Sequence, residues 1–212
     1  NDSESFYNLA LLYLKGIGVK QDYLQAKKYL ELSAQYDNIK AINELGILYY
    51  NGKGVKKDYL KAKEYFELSA KQNDPLAFNQ LGALYFNGEG VKKDYQKAKE
   101  YFELSAHLSN PIGLSNMAKL YLFGYGVKQD YLKAKEYLEL SAALDNSEAL
   151  LGLGVLYDIG NGVEKNYIKA KEYFEKAAKF GNSDAFCHLG HLYKDGSYIE
   201  QNYEKAKEYY EI

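Results

Sequence analysis

Five loops of the form Gly-x-Gly, at 16–18, 52–54, 88–90, 124–126 and 160–162, are the first places where residue type and spacing could do chemistry. Paired glycines let backbone amides close on a phosphate, but the phosphate-binding motifs of this kind follow a strand and open a helix. Here each pair follows an apolar run of helical period and recurs every 36 residues, which predicts turn punctuation. The other candidate is Cys187, His188 and His191, a thiol beside two imidazoles. Cys187 and His191 are four apart and share one face of a helix. Two such ligands do not make a structural zinc site and no third is evident, so the group reads as an ordinary groove wall, with metal or thiol chemistry as the alternative. No catalytic residue, metal or cofactor is expected.

The composition narrows the classes further. The 212 residues carry 27 cations against 29 carboxylates, a net charge of −2. That balance gives no electrostatic reason to bind nucleic acid or an anionic membrane. Every cation is a lysine, so bidentate guanidinium clamps on phosphate or carboxylate are unavailable. A single cysteine rules out an internal disulfide framework. Apolar stretches fall well short of the ~20 residues a membrane helix needs. Cytoplasm, periplasm and exterior all stay open.

The elements that would position these residues come from an internal repeat, which should be sought before anything else. The segment from Leu45 to Ala70 returns from Leu81 to Ala106 with few changes, and variants begin at Leu9, Met117, Leu153 and Leu189. The units are 5–40, 41–76, 77–112, 113–148, 149–184 and a truncated sixth, 185–212, all within one domain spanning 1–212. In the second unit Ala41, Leu45, Leu48 and Tyr49 form the stripe of a first helix, and Ala62, Tyr65, Phe66, Ser69 and Ala70 that of a second. Asp58 and its counterparts Asp22, Asp94, Asp130, Asn166 and Asn202 read as N-caps of the second helices. At the joints, Asp74-Pro75 and Asn110-Pro111 read as an N-cap followed by Pro at the first helical position, and Asn38, Asn146 and Asn182 share the slot. Gly46, Gly82, Gly152, Gly154 and Gly190 fall inside first helices, where Gly costs roughly 1 kcal/mol against Ala, so close approach of a second helix is expected. One hairpin cannot cover both of its stripes and needs neighbours. The fold class is therefore all-α: a right-handed α-solenoid of 36-residue helix-turn-helix repeats, five full and one truncated.

The run Ala41, Leu45, Gly46, Leu48, Tyr49, Gly52, Gly54, Val55, Asp58, Tyr59, Lys61, Ala62, Tyr65 resembles the Sel-1-like repeat, a relative of the tetratricopeptide repeat, and the resemblance extends over essentially the whole chain. It implies an adaptor or scaffold role in assembling protein complexes, as in bacterial envelope, signalling and host-contact proteins. Some cysteine-rich relatives bridge the two helices of each repeat and are associated with β-lactam binding or hydrolysis. The paired cysteines are missing here, so a β-lactam or cell-wall hydrolase is the alternative and not the leading reading. The sixth unit departs from the pattern at Tyr198 and Ile199, the first at Ser5 and Ala10.

A shared position that varies between repeats is free to serve a partner. By analogy with the tetratricopeptide superhelix, whose first helices line the concave face, the third, seventh and tenth positions of each unit are the expected protein- or peptide-binding slots. They include Asn43, Ile47 and Tyr50; Asn79, Ala83 and Phe86; Ser115, Lys119 and Leu122; Leu151, Val155 and Asp158; and Cys187, His191 and Lys194. The middle is apolar and aromatic with a rim of amides, a composition suited to an extended peptide or a helix. Tyr50, Phe86 and Leu122 are anchors for a partner, or else they fill the inside curve or touch the following unit. The tyrosines at 13, 49, 85, 121, 157 and 193 keep phase with the leucine stripe and read as core. Lys61, Lys63, Glu64 and Glu67 read as a solvated face. The chain begins at Asn1 without an initiator Met and stops inside a second helix at Ile212, so both ends are expected to be cut edges, with a longer natural protein or end-to-end self-association to cover them.

Overall fold

A computed structural model describes residues 2–196 and 200–211. Among these there are twelve helices and no strand. The chain divides into two compact units, Asn1–Leu108 and Ser109–Ile212. The first holds α1 (Asp2–Lys15), α2 (Tyr23–Ala34), α3 (Ile39–Asn51), α4 (Tyr59–Ala70), α5 (Pro75–Asn87) and α6 (Tyr95–His107). The second holds α7 (Pro111–Phe123), α8 (Tyr131–Ala142), α9 (Ser147–Ile159), α10 (Tyr167–Lys179), α11 (Asp184–Asp195) and α12 (Tyr203–Glu211). Within each unit every helix packs on the next, so each contains three stacked hairpins. This is the all-α helical-repeat class. The sixth-repeat departures at Tyr198 and Ile199 lie outside the described residues.

Local chemistry sets the helix boundaries. Asp58 is extended at φ −151° and its carboxylate accepts from the Lys61 amide at 3.0 Å, which satisfies one of the bare donors at the start of α4. Asp74 and Asn110 do the same for α5 and α7, each followed by Pro at the first helical position. The Asn182 side chain accepts from Ala185 at 3.2 Å, although α11 is counted only from Asp184. The Gly-x-Gly loops are turns: Gly52 closes α3 at φ +70° with its amide on the Leu48 carbonyl, and Gly54 follows at φ +68°. A return bond from the Asp58 amide to the Tyr49 carbonyl, 2.9 Å, ties the loop to the helix it leaves.

The core clusters each span two neighbouring repeats. In the first unit Ala10 and Leu30 from the first hairpin pack with Ala41, Leu45 and Leu48 from the second. Phe66 and Ala62 in turn meet Ala77, Leu81 and Leu84 of the third. In the second unit Ala118 and Leu138 meet Ala149, Leu153 and Leu156, and Phe174 meets Leu189 and Leu192. The helix glycines have the reason expected of them. A methyl on Gly82 would lie 2.5 Å from the Phe102 ring, and one on Gly190 2.5 Å from Tyr210. Buried serines on the second helices reach back to the first turn of the first helix they pair with, with Ser33 donating to the Ser3 carbonyl, Ser105 to Pro75 and Ser141 to Pro111, each at 2.7 Å. A hydroxyl is thereby accommodated in the core without an unmet bond.

Candidate functional site

The tyrosines that recur on the first helices are structural. Tyr49 stacks on Tyr65 at 5.6 Å and Tyr121 on Tyr137 at 5.8 Å, both within 13° of parallel, and Tyr13, Tyr85, Tyr157 and Tyr193 form matching pairs. A lysine twelve residues on covers several of these rings: Lys61 over Tyr49 at 4.5 Å, Lys133 over Tyr121 at 4.7 Å. The tyrosine contact holds Lys61 above the usual lysine range. Lys63 pairs with Glu67 at 2.5 Å, an arrangement repeated as Lys27–Glu31 and Lys135–Glu139. The reading of Lys61, Lys63, Glu64 and Glu67 as one solvated face is thus corrected. Glu64 alone is exposed, while the other three are half-buried in side-chain contacts.

The amide rim expected at the third slot is a second correction. Asn43 and Asn79 are only 4% and 7% exposed. The reason is visible at the matching Ser115, whose hydroxyl bonds Ser141 of the second helix at 2.9 Å and the capping Asn146 at 3.2 Å. That slot faces the partner helix and the joint, so analogy of position misplaced it. Among the described residues Asn43 Oδ1 has no hydrogen-bond partner. Leu151 is half-buried against the Leu150 and Phe174 cluster. Only in the sixth repeat does the slot open, where Cys187 is exposed.

The seventh and tenth slots stay partly accessible. In the first unit Ile47 and Tyr50 pack on the core cluster with one side, and Ala83 and Phe86 are half-buried. Tyr50 donates to Glu89 at 2.7 Å and meets Tyr59 edge-on at 5.3 Å. Burial, with the Glu89 bond added, pushes the Tyr50 phenol up to about 12. Phe86 meets Tyr95 at 5.2 Å. Tyr50 therefore touches the following repeat at Glu89 as well as its paired helix, while Phe86 meets its own paired helix. In the second unit Leu122 and Val155 are half-buried against their clusters, Asp158 is half-buried, and Lys119, His191 and Lys194 are exposed.

Of Cys187, His188 and His191, the two imidazoles engage different rings. His191 Nδ1 lies 3.2 Å from the Tyr210 hydroxyl, and His188 stacks on Phe174 with ring centres 4.7 Å apart. Burial lowers the His188 pKa; Asp158 and Asp184 oppose this, while His191 adds to it. Among the described residues no group of three or more His, Cys, Asp or Glu could hold a metal ion. No described helix is long and apolar enough to cross a membrane.

The two units thus define an all-α protein of repeated helical hairpins whose variable slots lie on the first helices. The Sel1 repeat matches residues 3–35, 39–74, 75–110, 111–146, 147–182 and 183–212, which is the 36-residue register above cut about two residues earlier. A solved Sel1 repeat protein from Oxalobacter formigenes is similar at 30% identity and TM-score 0.91, over 99% of this chain and 86% of that one. The chain belongs to the Sel1 repeat family. An immunity protein from Pseudomonas aeruginosa, 23% identical with TM-score 0.71 over 99% of this chain and 80% of that one, shares the fold. No curated protein matches significantly. Sel1 repeat proteins are generally protein-interaction scaffolds and generally non-enzymatic. The hydrolase alternative gains no support from the family match.

Proposed function

We propose that this chain is an interaction scaffold that holds a partner protein or peptide on the first-helix face. The supporting observation is variation at fixed geometry. The tenth slot carries Tyr50, Phe86 and Leu122 in three repeats but Asp158 and Lys194 in two others, at the same place on a first helix of the same hairpin plan. A position that tolerates charge and aromatic alike is not dictated by folding. In the first unit the contacts are Ile47, Tyr50, Ala83 and Phe86, an apolar surface with aromatic anchors of the kind found at binding hot spots. In the second unit Lys119, Leu122, Asp158, His191 and Lys194 supply mixed, charged contacts. Asn43, Asn79, Ser115 and Leu151 act from behind, by fixing the helices that carry the contacts.

The test is the double change Tyr50→Ser and Phe86→Ser, read as affinity per folded molecule for a purified partner. Anchors of this type are expected to cost at least about 2 kcal/mol of binding. Unchanged affinity in the folded fraction would move the site elsewhere.

A further inference from the structure

Two shallow clefts in the first unit are copies of each other one repeat apart, and they lie at the turn edge of the hairpins, the second of them bordering Tyr50 through its edge-on contact with Tyr59. One, of 680 Å³, is lined by Tyr13, Asp22, Tyr23, Leu24 and Gly54, among others. The other, of 660 Å³, is lined by the residues 36 positions on: Tyr49, Asp58, Tyr59, Leu60 and Gly90. The fold does not need the leucine at the mouth of each. Leu24 is 66% and Leu60 61% exposed, and the same position in the third repeat is Gln96. A large aliphatic side chain left in water beside a concave, tyrosine-walled surface is what a contact residue looks like.

The charge around the clefts indicates what fits them. Lys20, Lys56, Lys57 and Lys61 line the two sites, against the carboxylates of Asp22 and Asp58 alone. Both carboxylates are engaged as helix caps by backbone amides. Among the described residues none of the four lysines is in an ion pair, whereas Lys27 on α2 and Lys63 on α4 are. Lys57 lies 5.3 Å from the Tyr59 ring centre, so its ammonium stands at the cleft wall. Ammonium groups are point charges that attract carboxylates without demanding a planar fork.

We infer that this edge of the first unit binds an acidic, extended peptide that places one apolar side chain in each of the two leucine-mouthed clefts and its carboxylates on the flanking lysines. This surface adjoins the first-helix face where Tyr50 meets Tyr59, but Leu24, Leu60, Lys56 and Lys57 lie outside the first-helix slots, so it stands or falls separately from the proposal made for that face. Nucleic acid is disfavoured because exposed leucines contribute nothing to phosphate contacts and the whole chain carries net negative charge.

The test is fluorescence anisotropy with the whole chain and a labelled synthetic peptide that alternates leucine with glutamate. Two control peptides replace its leucines by serine or its glutamates by lysine. The double variants Leu24→Ser/Leu60→Ser and Lys56→Glu/Lys57→Glu should each weaken binding of the first peptide at least about tenfold, with melting unchanged. Leu68→Ser, an exposed leucine elsewhere on α4, should leave it unaltered. Both control peptides should bind at least about tenfold more weakly than the first. No binding of the first peptide would overturn the inference, as would equal loss on Leu68→Ser or indifference to both double variants. It would also be overturned if the serine peptide, duplex DNA or anionic vesicles bound as tightly with the same lysine dependence, since the edge would then be an unspecific anion surface.

Discussion

Gly46 and Phe66 meet across the second hairpin so closely that a methyl group on Gly46 would lie 2.5 Å from the Phe66 ring. The same two positions read Gly82 with Phe102, Gly154 with Phe174 and Gly190 with Tyr210, but Ala10 with Leu30 and Ala118 with Leu138. Wherever the second helix presents a flat ring the first helix gives up its Cβ, and wherever it presents leucine an alanine is restored. The chain thus contains its own double-mutant series. Gly46→Ala gains about 1 kcal/mol of helix propensity but forces overpacking that costs about 1–3 kcal/mol. A net loss is expected in chemical denaturation, and Gly46→Ala with Phe66→Leu should recover to within about 1 kcal/mol of the parent. A more stable Gly46→Ala single variant would show that the ring yields.

Ser109 holds φ +56°, a left-handed conformation that is filled by Asp37, Asn73, Asp145 and Gly181 at the other joints. Asn and Asp tolerate it through local hydrogen bonds, while serine bears more of the steric cost. Ser109→Asn should therefore raise stability by up to about 1 kcal/mol. A lowered melting temperature would mean that the serine hydroxyl has a contact worth more than the strain.

The Tyr50–Glu89 bond predicts an alkaline dependence with a definite sign. The phenol's folded pKa, about 12, lies above its ordinary value near 10, so the folded state favours the protonated form. Its contribution is complete below pH 10 and is lost as the pH rises toward 12. The stability difference between the parent and Tyr50→Phe should shrink over that window. A difference that stays constant would show that the phenol does not titrate as a buried donor.

His188 predicts the opposite end. Its folded pKa lies below the usual 6.5 because burial against Phe174 disfavours the cation. The unfolded chain then binds the proton first, so this contribution is present above about pH 6.5 and is lost on acidification below it. Facing groups are Asp158 and Asp184, which favour the cation, and His191, which opposes it. His188→Gln, with the residue found at the matching Gln80, should flatten the loss between neutral and mildly acid pH in urea midpoints. An unaltered acid slope would assign it to the carboxylates.

The hairpins, caps and turns were legible because each rests on a local rule that recurs along the chain, the Gly-x-Gly turn five times and the second-helix cap six. Asp58 followed by an apolar stripe, Asp74 before Pro75 and Gly52 after Leu48 each specify their own backbone without help from distant residues. The site was legible only in part. Sequence offered the slots by analogy but not their direction, and Asn43 and Asn79 proved to face the paired helix, where polarity is hidden from solvent. The lysines over Tyr49 and Tyr121 were missed as well, although a signal existed: Lys61 and Lys133 recur twelve residues after a tyrosine. The leucine-mouthed clefts depend on exposure, which a pattern of types cannot show, since Leu24 and Leu60 read like any other helix leucine.

The proposed role of the chain is to hold another protein on its first helices. It is tested most directly by titrating a purified natural partner into the chain and into Ala83→Arg, Phe86→Ser and Lys119→Glu variants by calorimetry, each checked for unchanged melting. Affinity is expected to fall by about tenfold or more for the variants whose contacts anchor the partner. Full affinity in all three folded variants would contradict it, and so would turnover of a chromogenic β-lactam by the purified chain that the same substitutions abolish.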